Sequence, residues 1–270
     1  MQAEDIPSLH ELSLSVRWPH RAEDWAELQK VGEGFVARDL IGRLICSMMW
    51  FPMGSNYASV GMGISSPRLQ SLGAGRWLAQ HVGQEIGDRN VFLNATGDSL
   101  RLCLSFNFQT VRPVFHHNGL AETNSRVLPR VAQMQTADFE AIEQLDAVAM
   151  GFNRRRIIPS LLAVSEGTLI RESGDITGFA LCRKFGRGRV IGPIVAANED
   201  DAIALIDPFI KANPGVFFRV DTYQDSGPFR DYLVEAGITL HETATMMVRG
   251  SLPSHRGNAI TFGLASQAFG

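Results

Sequence analysis

Apolar positions recur along the chain in an order of helices and strands that occurs twice. In the first half, Trp25, Leu28 and Val31 share one helical face, and alternating apolar runs after them predict strands. We predict helices over 18–31, 77–86 and 99–106, and strands over 34–38, 44–51, 57–64, 91–95 and 108–115.

The second half repeats this order. We predict helices over 138–150, 156–164, 202–209 and 228–236, strands over 168–171, 178–184, 190–196, 216–220 and 239–248, and a short final strand near 260–264 that packs back on the body. The repeat indicates a structural duplication with a joint near 128–136. The predicted domains are therefore 1–130 and 131–270.

Composition narrows the class of protein. Of 270 residues, 45% are hydrophobic, which excludes wholesale disorder, and a formal net charge of −3 favours neither nucleic acid nor an anionic membrane as partner. Cys46, Cys103 and Cys182 lie far apart and without metal-ligand spacing. The N-terminus is polar and no apolar run has membrane-spanning length. We expect a soluble, cytoplasmic protein without a metal.

The segment from Val60 to Gly75 carries the clearest chemical signal. A strand ends, a glycine-bearing loop turns and a helix begins, so that unpaired N–H groups point into one concavity and can bind a diphosphate. Arg68 and Arg76 would add charged donors at its rim. The dinucleotide and P-loop fingerprints are both absent. An ordinary strand-to-helix turn with Gly73 and Gly75 at positive φ stays as the alternative.

Gln70-x-x-Gly73-x-Gly75 after an antiparallel strand resembles the acyl-CoA signature of GCN5-related N-acetyltransferases, the GNAT superfamily. Further segments resemble a bacterial tandem-GNAT subfamily in which a degenerate acetyltransferase-like domain follows a catalytic-type one. These segments are Trp18-Pro19-His20-Arg21, Asn94-Ala95-Thr96, His117-x-Gly119, Ile191 to Ala196, Arg219-Val220-Asp221 and Met247-x-x-Gly250.

The resemblance implies an α+β fold of two tandem GNAT-like domains, each a mixed, mostly antiparallel twisted sheet flanked by helices. It also implies that acetyl-CoA binds the first domain, with its pantetheine against a splayed strand and its pyrophosphate on loop amides. The amine would attack directly in a ternary complex, and the N–H near Met62 would polarise the carbonyl. The implied acetyl-CoA-binding residues are Met62, Gly63, Ile64, Arg68, Gln70, Ser71, Leu72, Gly73, Ala74, Gly75, Arg76 and Asn94.

The catalytic positions depart from the family pattern. Cys103 stands where many GNAT enzymes have the tyrosine that protonates the leaving thiolate, and Asn107 stands in place of a glycine. Cys103 is a candidate acid, with Ser105 as a weaker one, although a lone helix cysteine is more often a small core residue.

Four residues are candidates for the general base: Glu33, His20, His116 and His117. Adjacent histidines on a strand face opposite ways, so we expect one of His116 and His117 at a pocket or at the seam between the domains and the other in solvent. His20 also fits a simpler interpretation, in which Pro19 starts the helix and Trp18 is buried. The predicted catalytic set is Cys103, His117 and Glu33.

The second half lacks the glycine loop. Its equivalent at 196–201 is acidic, which disfavours a diphosphate and fits a helix start capped by Asn198. We therefore expect no CoA there. Asp221 and Tyr223 are candidates for contacting the amine. Arg154 to Arg156 could face an anionic substrate or the adenine 3′-phosphate of CoA, but the pattern favours a solvated helix start.

These features favour an acetyl-CoA-dependent N-acetyltransferase acting on a primary amine of a small molecule. The alternative, motivated by Cys103 in place of tyrosine, is an acyl-CoA-binding sensor or interaction module with little transferase activity. The slightly negative net charge slightly favours a cationic acceptor. The sequence leaves open whether the protein forms a homodimer.

Overall fold

A computed structural model describes residues 1–69, 73–122, 131–254 and 257–270. Its helices are α1 (Ile6–Ser15), α2 (Ala22–Val31), α3 (Ala74–Ile86), α4 (Leu100–Leu104), α5 (Phe139–Met150), α6 (Ile157–Leu162), α7 (Glu199–Lys211) and α8 (Pro228–Glu235). Its strands are β1 (Glu33–Arg38), β2 (Leu44–Met53), β3 (Tyr57–Ser65), β4 (Asn90–Ala95), β5 (Gln109–Leu120), β6 (Val131–Gln133), β7 (Glu166–Glu172), β8 (Asp175–Phe185), β9 (Gly188–Ala196), β10 (Phe217–Thr222), β11 (Thr239–Arg249) and β12 (Ile260–Gly263).

The described strands form one continuous sheet in the order β1-β2-β3-β4-β11-β5-β10-β9-β8-β7-β6, with β12 on β9. The pairs β3–β4 and β9–β10 are parallel, and the other pairs are antiparallel. The predicted mixed, mostly antiparallel sheet flanked by helices is thus confirmed. The division at residue 130 stays a prediction.

The two halves exchange strands at the centre of this sheet. β11, from the second half, lies between β4 and β5, while β5, from the first half, lies between β11 and β10. Each half of the sheet is therefore completed by a strand from the other half of the sequence.

Helices cover both faces of the sheet. One face carries α1, α2, α5, α6 and the tail, which we define as residues 264–270, in a core shared by both halves. The other face carries α3 and α4 over the first half and α7 and α8 over the second, in two separate clusters. The two halves therefore share one hydrophobic core on this first face of the sheet, in addition to the exchanged strands β5 and β11.

Several local predictions need correction. The first helix is α1, which the sequence analysis does not predict, and Pro19 lies in the loop before α2 instead of starting a helix. Arg154 is buried and not solvated, since it pairs with Asp146. In contrast, the Asn198 cap is confirmed, because its side chain accepts a hydrogen bond from the Asp201 N–H.

Candidate active site between the two halves

The parallel strands β3 and β4 separate halfway along their length. Their pairing runs from Tyr57 opposite Asn90 to Val60 opposite Leu93 and is not continued beyond Val60. Met62 has φ of 54°, at an irregularity in the register between β3 and β2. The Ser47 hydroxyl donates to the Met62 carbonyl at 2.9 Å and fixes this bend. The separation leaves backbone groups around residues 61–65 facing a cavity.

The N-terminus of α3 lies beside this opening. Gly73 precedes the helix with φ of 87°, and a Cβ added there would meet no described atom within 4 Å. The N–H of Trp77 is bonded to the Gly73 carbonyl, and the N–H groups before it in the first turn have no acceptor inside the helix. Among the described residues nothing accepts from these donors, and together with the positive end of the helix dipole they suit an anionic group.

The other predicted loop residues divide into two groups. Gly63, Ala74, Gly75 and Arg76 line the cavity with Met62 and Ile64, while Arg68 is exposed just outside its lining. Arg76 donates to the Ser105 hydroxyl at 3.0 Å and lies over the Phe106 ring. Gln70, Ser71 and Leu72 lie outside the described residues.

The cavity has a volume of about 1140 Å³ and runs from α3 through the separated strands to the opposite face of the sheet. Cys103 on α4 lies in its wall, half-buried. Burial raises the pKa of the Cys103 thiol, so the side chain is a neutral S–H at pH 7. A thiol in this state can donate a proton.

The tail forms one wall of the cavity next to the separated strands. The Asn94 side-chain amide donates to the Gln267 carbonyl at 2.8 Å, and the Ser59 hydroxyl donates to the Ala268 carbonyl at 2.9 Å. Asn94 therefore lies at the predicted place, but its amide already holds the tail. The Asn94 Oδ1 is buried with no partner among the described residues and is the atom left to accept a hydrogen bond.

On the opposite face, the loop before α2 meets strands of the second half. His20 from this loop packs edge-to-face on Phe185 of β8, with ring centroids 5.1 Å apart. Arg219 and Asp221 of β10 form an ion pair of 2.8 Å, and His116 Nδ1 lies 4.0 Å from Asp221. All of these side chains line the same cavity.

Both histidines of this region are neutral at physiological pH. Burial, together with the Arg219 charge, lowers the pKa of His20 to about 4 and that of His116 to about 4. His20 Nδ1 is buried with no hydrogen-bond partner among the described residues. Neutral imidazoles in a cavity can accept a proton from an incoming group.

A second cavity, of about 540 Å³, adjoins the first between α2 and α6. The two cavities share five lining residues: His20, Arg183, Phe185, Arg189 and Ser266. The molecule therefore offers two approaches to the same interior, one along α3 and one between α2 and α6.

Three predicted site residues, Glu33, His117 and Tyr223, lie outside the cavity between the two halves. Glu33 is exposed and lies near Arg156 at 3.6 Å, outside both cavities. His117 points to the other face of the sheet, where its ring contacts the Ile238 carbonyl. It is only 1% exposed, so the expectation that the histidine turned away from the pocket meets solvent is wrong. Tyr223 packs under Arg112, away from the cavity lining.

The equivalent opening in the second half is filled by the chain itself. β9 and β10 pair only at Phe218–Arg189 and Arg219–Val190, and β12 then bonds the free edge of β9. The N–H of Leu264 donates to the Asp221 carbonyl of β10. The backbone edge that is free in the first half is thus occupied here.

The described residues show neither a metal-binding cluster nor a membrane-spanning helix. No three His, Cys, Asp or Glu side chains in this part of the chain come together as metal ligands would. No described helix combines the length and the apolar character that crossing a bilayer requires.

Comparison with known proteins decides the fold. Residues 142–261 match the family model described as an acetyltransferase (GNAT) domain. A GCN5-related N-acetyltransferase from Sphaerobacter thermophilus superposes with a TM-score of 0.68 at 16% identity, over 99% of this chain and 96% of that one. This is a tandem GNAT fold. The resemblance predicted from the motifs is confirmed.

Two further solved structures are similar to the chain over nearly its whole length. A candidate acetyltransferase from Pyrococcus horikoshii has a TM-score of 0.81 at 17% identity, over 100% of this chain and 94% of that one. A tandem GNAT protein from the clavulanic acid biosynthesis pathway has 0.64 at 12%, over 94% and 98%. No curated protein matches the sequence. At these identities, the likeness concerns the fold.

Proposed function

We propose that the protein is an acetyl-CoA-dependent N-acetyltransferase with one acyl-CoA site, in the first half. The observation that carries the proposal is the open cavity where β3 and β4 separate beside the N-terminus of α3. Acetyl-CoA is a substrate in this proposal. Its pyrophosphate fits the α3 amides, and its pantetheine fits the free edge of β3 as an added strand.

The acceptor amine would enter from the opposite face, between the loop before α2 and strands β8 and β10. Its nitrogen attacks the thioester carbonyl carbon, a C–N bond forms, and the C–S bond breaks to release CoA thiolate. Most of the acceleration would come from holding the two substrates in line. Backbone donors near Met62 are placed to stabilise the carbonyl oxygen as it becomes negative.

Two protons must move in this reaction. The S–H of Cys103, which lines the cavity on the α4 side, would protonate the leaving thiolate. The proton of the attacking amine would pass to His116 or His20, both neutral and both in the cavity wall. Glu33 and His117 have no place in this scheme, because they lie outside the cavity.

A binding experiment tests the proposal. Saturating acetyl-CoA should stabilise the wild type by about 2–3 kcal/mol at a hundred times Kd, seen as a rise in Tm of roughly 5–10 °C. Gly73→Val should remove most of this rise, because it places a strained side chain into the open space at α3. Gly42→Val is the matched control, since Gly42 has φ of 84° and equally open surroundings in a turn outside the cavity.

Turnover separates the enzyme from a binding module. Release of free CoA thiol with a panel of primary amines should accompany binding, and Cys103→Ala should slow it at least about tenfold while leaving the acetyl-CoA stabilisation intact. The proposal fails if acetyl-CoA does not stabilise the wild type. Binding without thiol release for any amine would favour the sensor or interaction module instead.

A further inference from the structure

Arg183 is a buried guanidinium on the acceptor side of the cavity. It lies near the end of β8 and is 9% exposed. Its Nη1 donates to the Gly192 carbonyl at 3.0 Å and its Nη2 to the Ala265 carbonyl at 2.7 Å. Burial lowers the pKa of Arg183 to about 10, which leaves the side chain charged at pH 7. A full positive charge thus lies inside the molecule, held by neutral main-chain groups.

Two other arginines with little exposed surface have carboxylate partners, whereas the half-buried Arg89 and Arg249 lie over the rings of Trp50 and Phe108. Arg154 binds Asp146 through two hydrogen bonds, and Arg219 binds Asp221. Arg183 has no carboxylate within 4.0 Å among the described residues; Asp24 and Asp221 act on it from further away. Burying a charge without a counter-ion is costly, so such a group is kept where a ligand supplies the missing partner.

The position of Arg183 is the second argument. It lines both cavities, next to His20 and Phe185, at the place where the two approaches meet. His20 Nδ1, more than nine-tenths buried and unpartnered among the described residues, lies in the same wall. Arg187 adds positive charge to this side of the cavity, while Arg189 is paired with Glu166 at 2.7 Å. A guanidinium has five N–H donors, so Arg183 can bind an oxyanion while it keeps both carbonyl contacts.

We propose that the acceptor is an aminocarboxylate, a molecule that carries a carboxylate besides its primary amine, and that Arg183 binds this carboxylate. The inference rests on the proposed acetyltransferase function and names the substrate class of that site. Arg183 is then a specificity-determining residue, since a planar carboxylate matches a guanidinium in two parallel hydrogen bonds. This replaces the cationic acceptor that the overall charge slightly favours, because the lining of the cavity and not the net charge meets the substrate.

Matched pairs of amines test the proposal on the wild-type protein. Each pair consists of an amino acid and its carboxamide, which keeps the amine and the side chain but removes the negative charge. With acetyl-CoA and detection of free thiol, the amino acids that react best should exceed their carboxamides at least tenfold in kcat/KM. An aminophosphonate analogue of the best amino acid, used as a third member, should be the poorer of the two anions.

Arg183→Met should abolish the difference within a pair by lowering kcat/KM for the amino acid and not for the carboxamide. Arg230→Met, an exposed arginine outside both cavities, is the control and should keep the preference. The wild-type comparison decides the question even if Arg183→Met does not fold.

Three results would overturn the proposal: equal kcat/KM within the pairs, a preference that survives in Arg183→Met, or a better rate with the aminophosphonate. Acetylation of neither member by a protein that acetyl-CoA stabilises would also count against it. In all four cases acetyl-CoA binding stands. Absence of acetyl-CoA stabilisation would instead remove the proposed function itself.

Discussion

At the scale of single residues, the two neutral histidines of the cavity make stability depend on pH. Their folded-state pKa values near 4 lie below the ordinary value of 6.5, so between these values the unfolded chain binds more protons than the folded one. The free energy of unfolding therefore falls as the pH drops from 6.5 to 4. By this linkage each histidine should cost about 2 kcal/mol by pH 5.

We expect His20→Gln and His116→Asn each to lose less stability than the wild type between pH 7.5 and pH 5, by about 2 kcal/mol. Urea unfolding at the two pH values measures this difference, and other titrating groups cancel because each variant is compared with the wild type. Identical pH dependence in wild type and variants would show that the imidazoles titrate as in water.

Some residues of the site can be read from sequence and others cannot. Gly73 and Gly75 can be picked out from the sequence, because the proposed approach of a ligand to the backbone needs small residues. The alternation of His116 and His117 predicts opposite faces but not which face meets the cavity. Arg183 did leave a signal that the sequence analysis does not use: it ends the buried run Phe179 to Cys182 at an inward-facing position.

At the scale of elements, the C-terminal segment acts differently in the two halves of the sheet, because β12 closes one gap and the tail forms a wall of the open cavity in the other. β12 fills the gap between β9 and β10, and the tail then crosses β3, where Gly61 allows its close approach. A Cβ on Gly61 would lie 2.7 Å from the Ala268 Cα. The absence of a side chain at this position is thus a packing requirement of the tail.

Gly61→Ala should therefore destabilise the protein by about 1–3 kcal/mol through overpacking against the tail. Gly97→Ala is the comparison variant, since a Cβ there meets no described atom within 4 Å. Denaturant unfolding of both variants checks the prediction. Equal stability of the two would mean that the tail moves aside at no cost.

Elements with a clear hydrophobic period were predictable and those defined by context were not. Strong periodic patterns mark α2, α5, β2 and β9, and all four elements occur at the predicted positions. The largest difference is at the start of α2, which begins a few residues later than predicted. α1 was not predicted, because its apolar residues Ile6, Leu9, Leu12 and Leu14 are interrupted by polar ones within a helix of only ten residues. β6 was not predicted, because a strand of three residues is too short to show alternating apolar and polar positions.

At the scale of the whole molecule, the exchange of β5 and β11 ties the halves together. A fragment of residues 1–130 would lack β11, the strand between β4 and β5. A fragment of residues 131–270 would lack β5, the strand between β11 and β10. Each piece would expose unpaired strand edges and part of the core shared on the α1, α2, α5 and α6 face.

We expect either piece expressed singly to be insoluble or unfolded, and the two expressed together to give a folded complex. Circular dichroism and gel filtration of the three samples test this. A monomeric, cooperatively unfolding 1–130 would show that the first half does not need the exchanged strand.

The repeated order of elements predicts two similar units, and no local pattern tells which unit a strand completes. β5 and β11 occupy the same place in the two orders, so either could pair with its own half or with the other. Their assignment is decided by contacts more than a hundred residues apart, such as Phe115 opposite Thr243. Such pairing is set by the packed molecule and is not written in any single segment.

The crossed strands also limit how the acceptor pocket can work. Many enzymes with a pocket between two lobes open and close by rotating one lobe about a flexible connection. Here such a rotation would break hydrogen bonds between strands in the middle of the sheet. The distances between β8, β10 and the loop before α2, which form the walls, are therefore fixed. Under the proposed function, selection among amines would then depend on the shape of a pocket formed in advance and not on closure around the substrate.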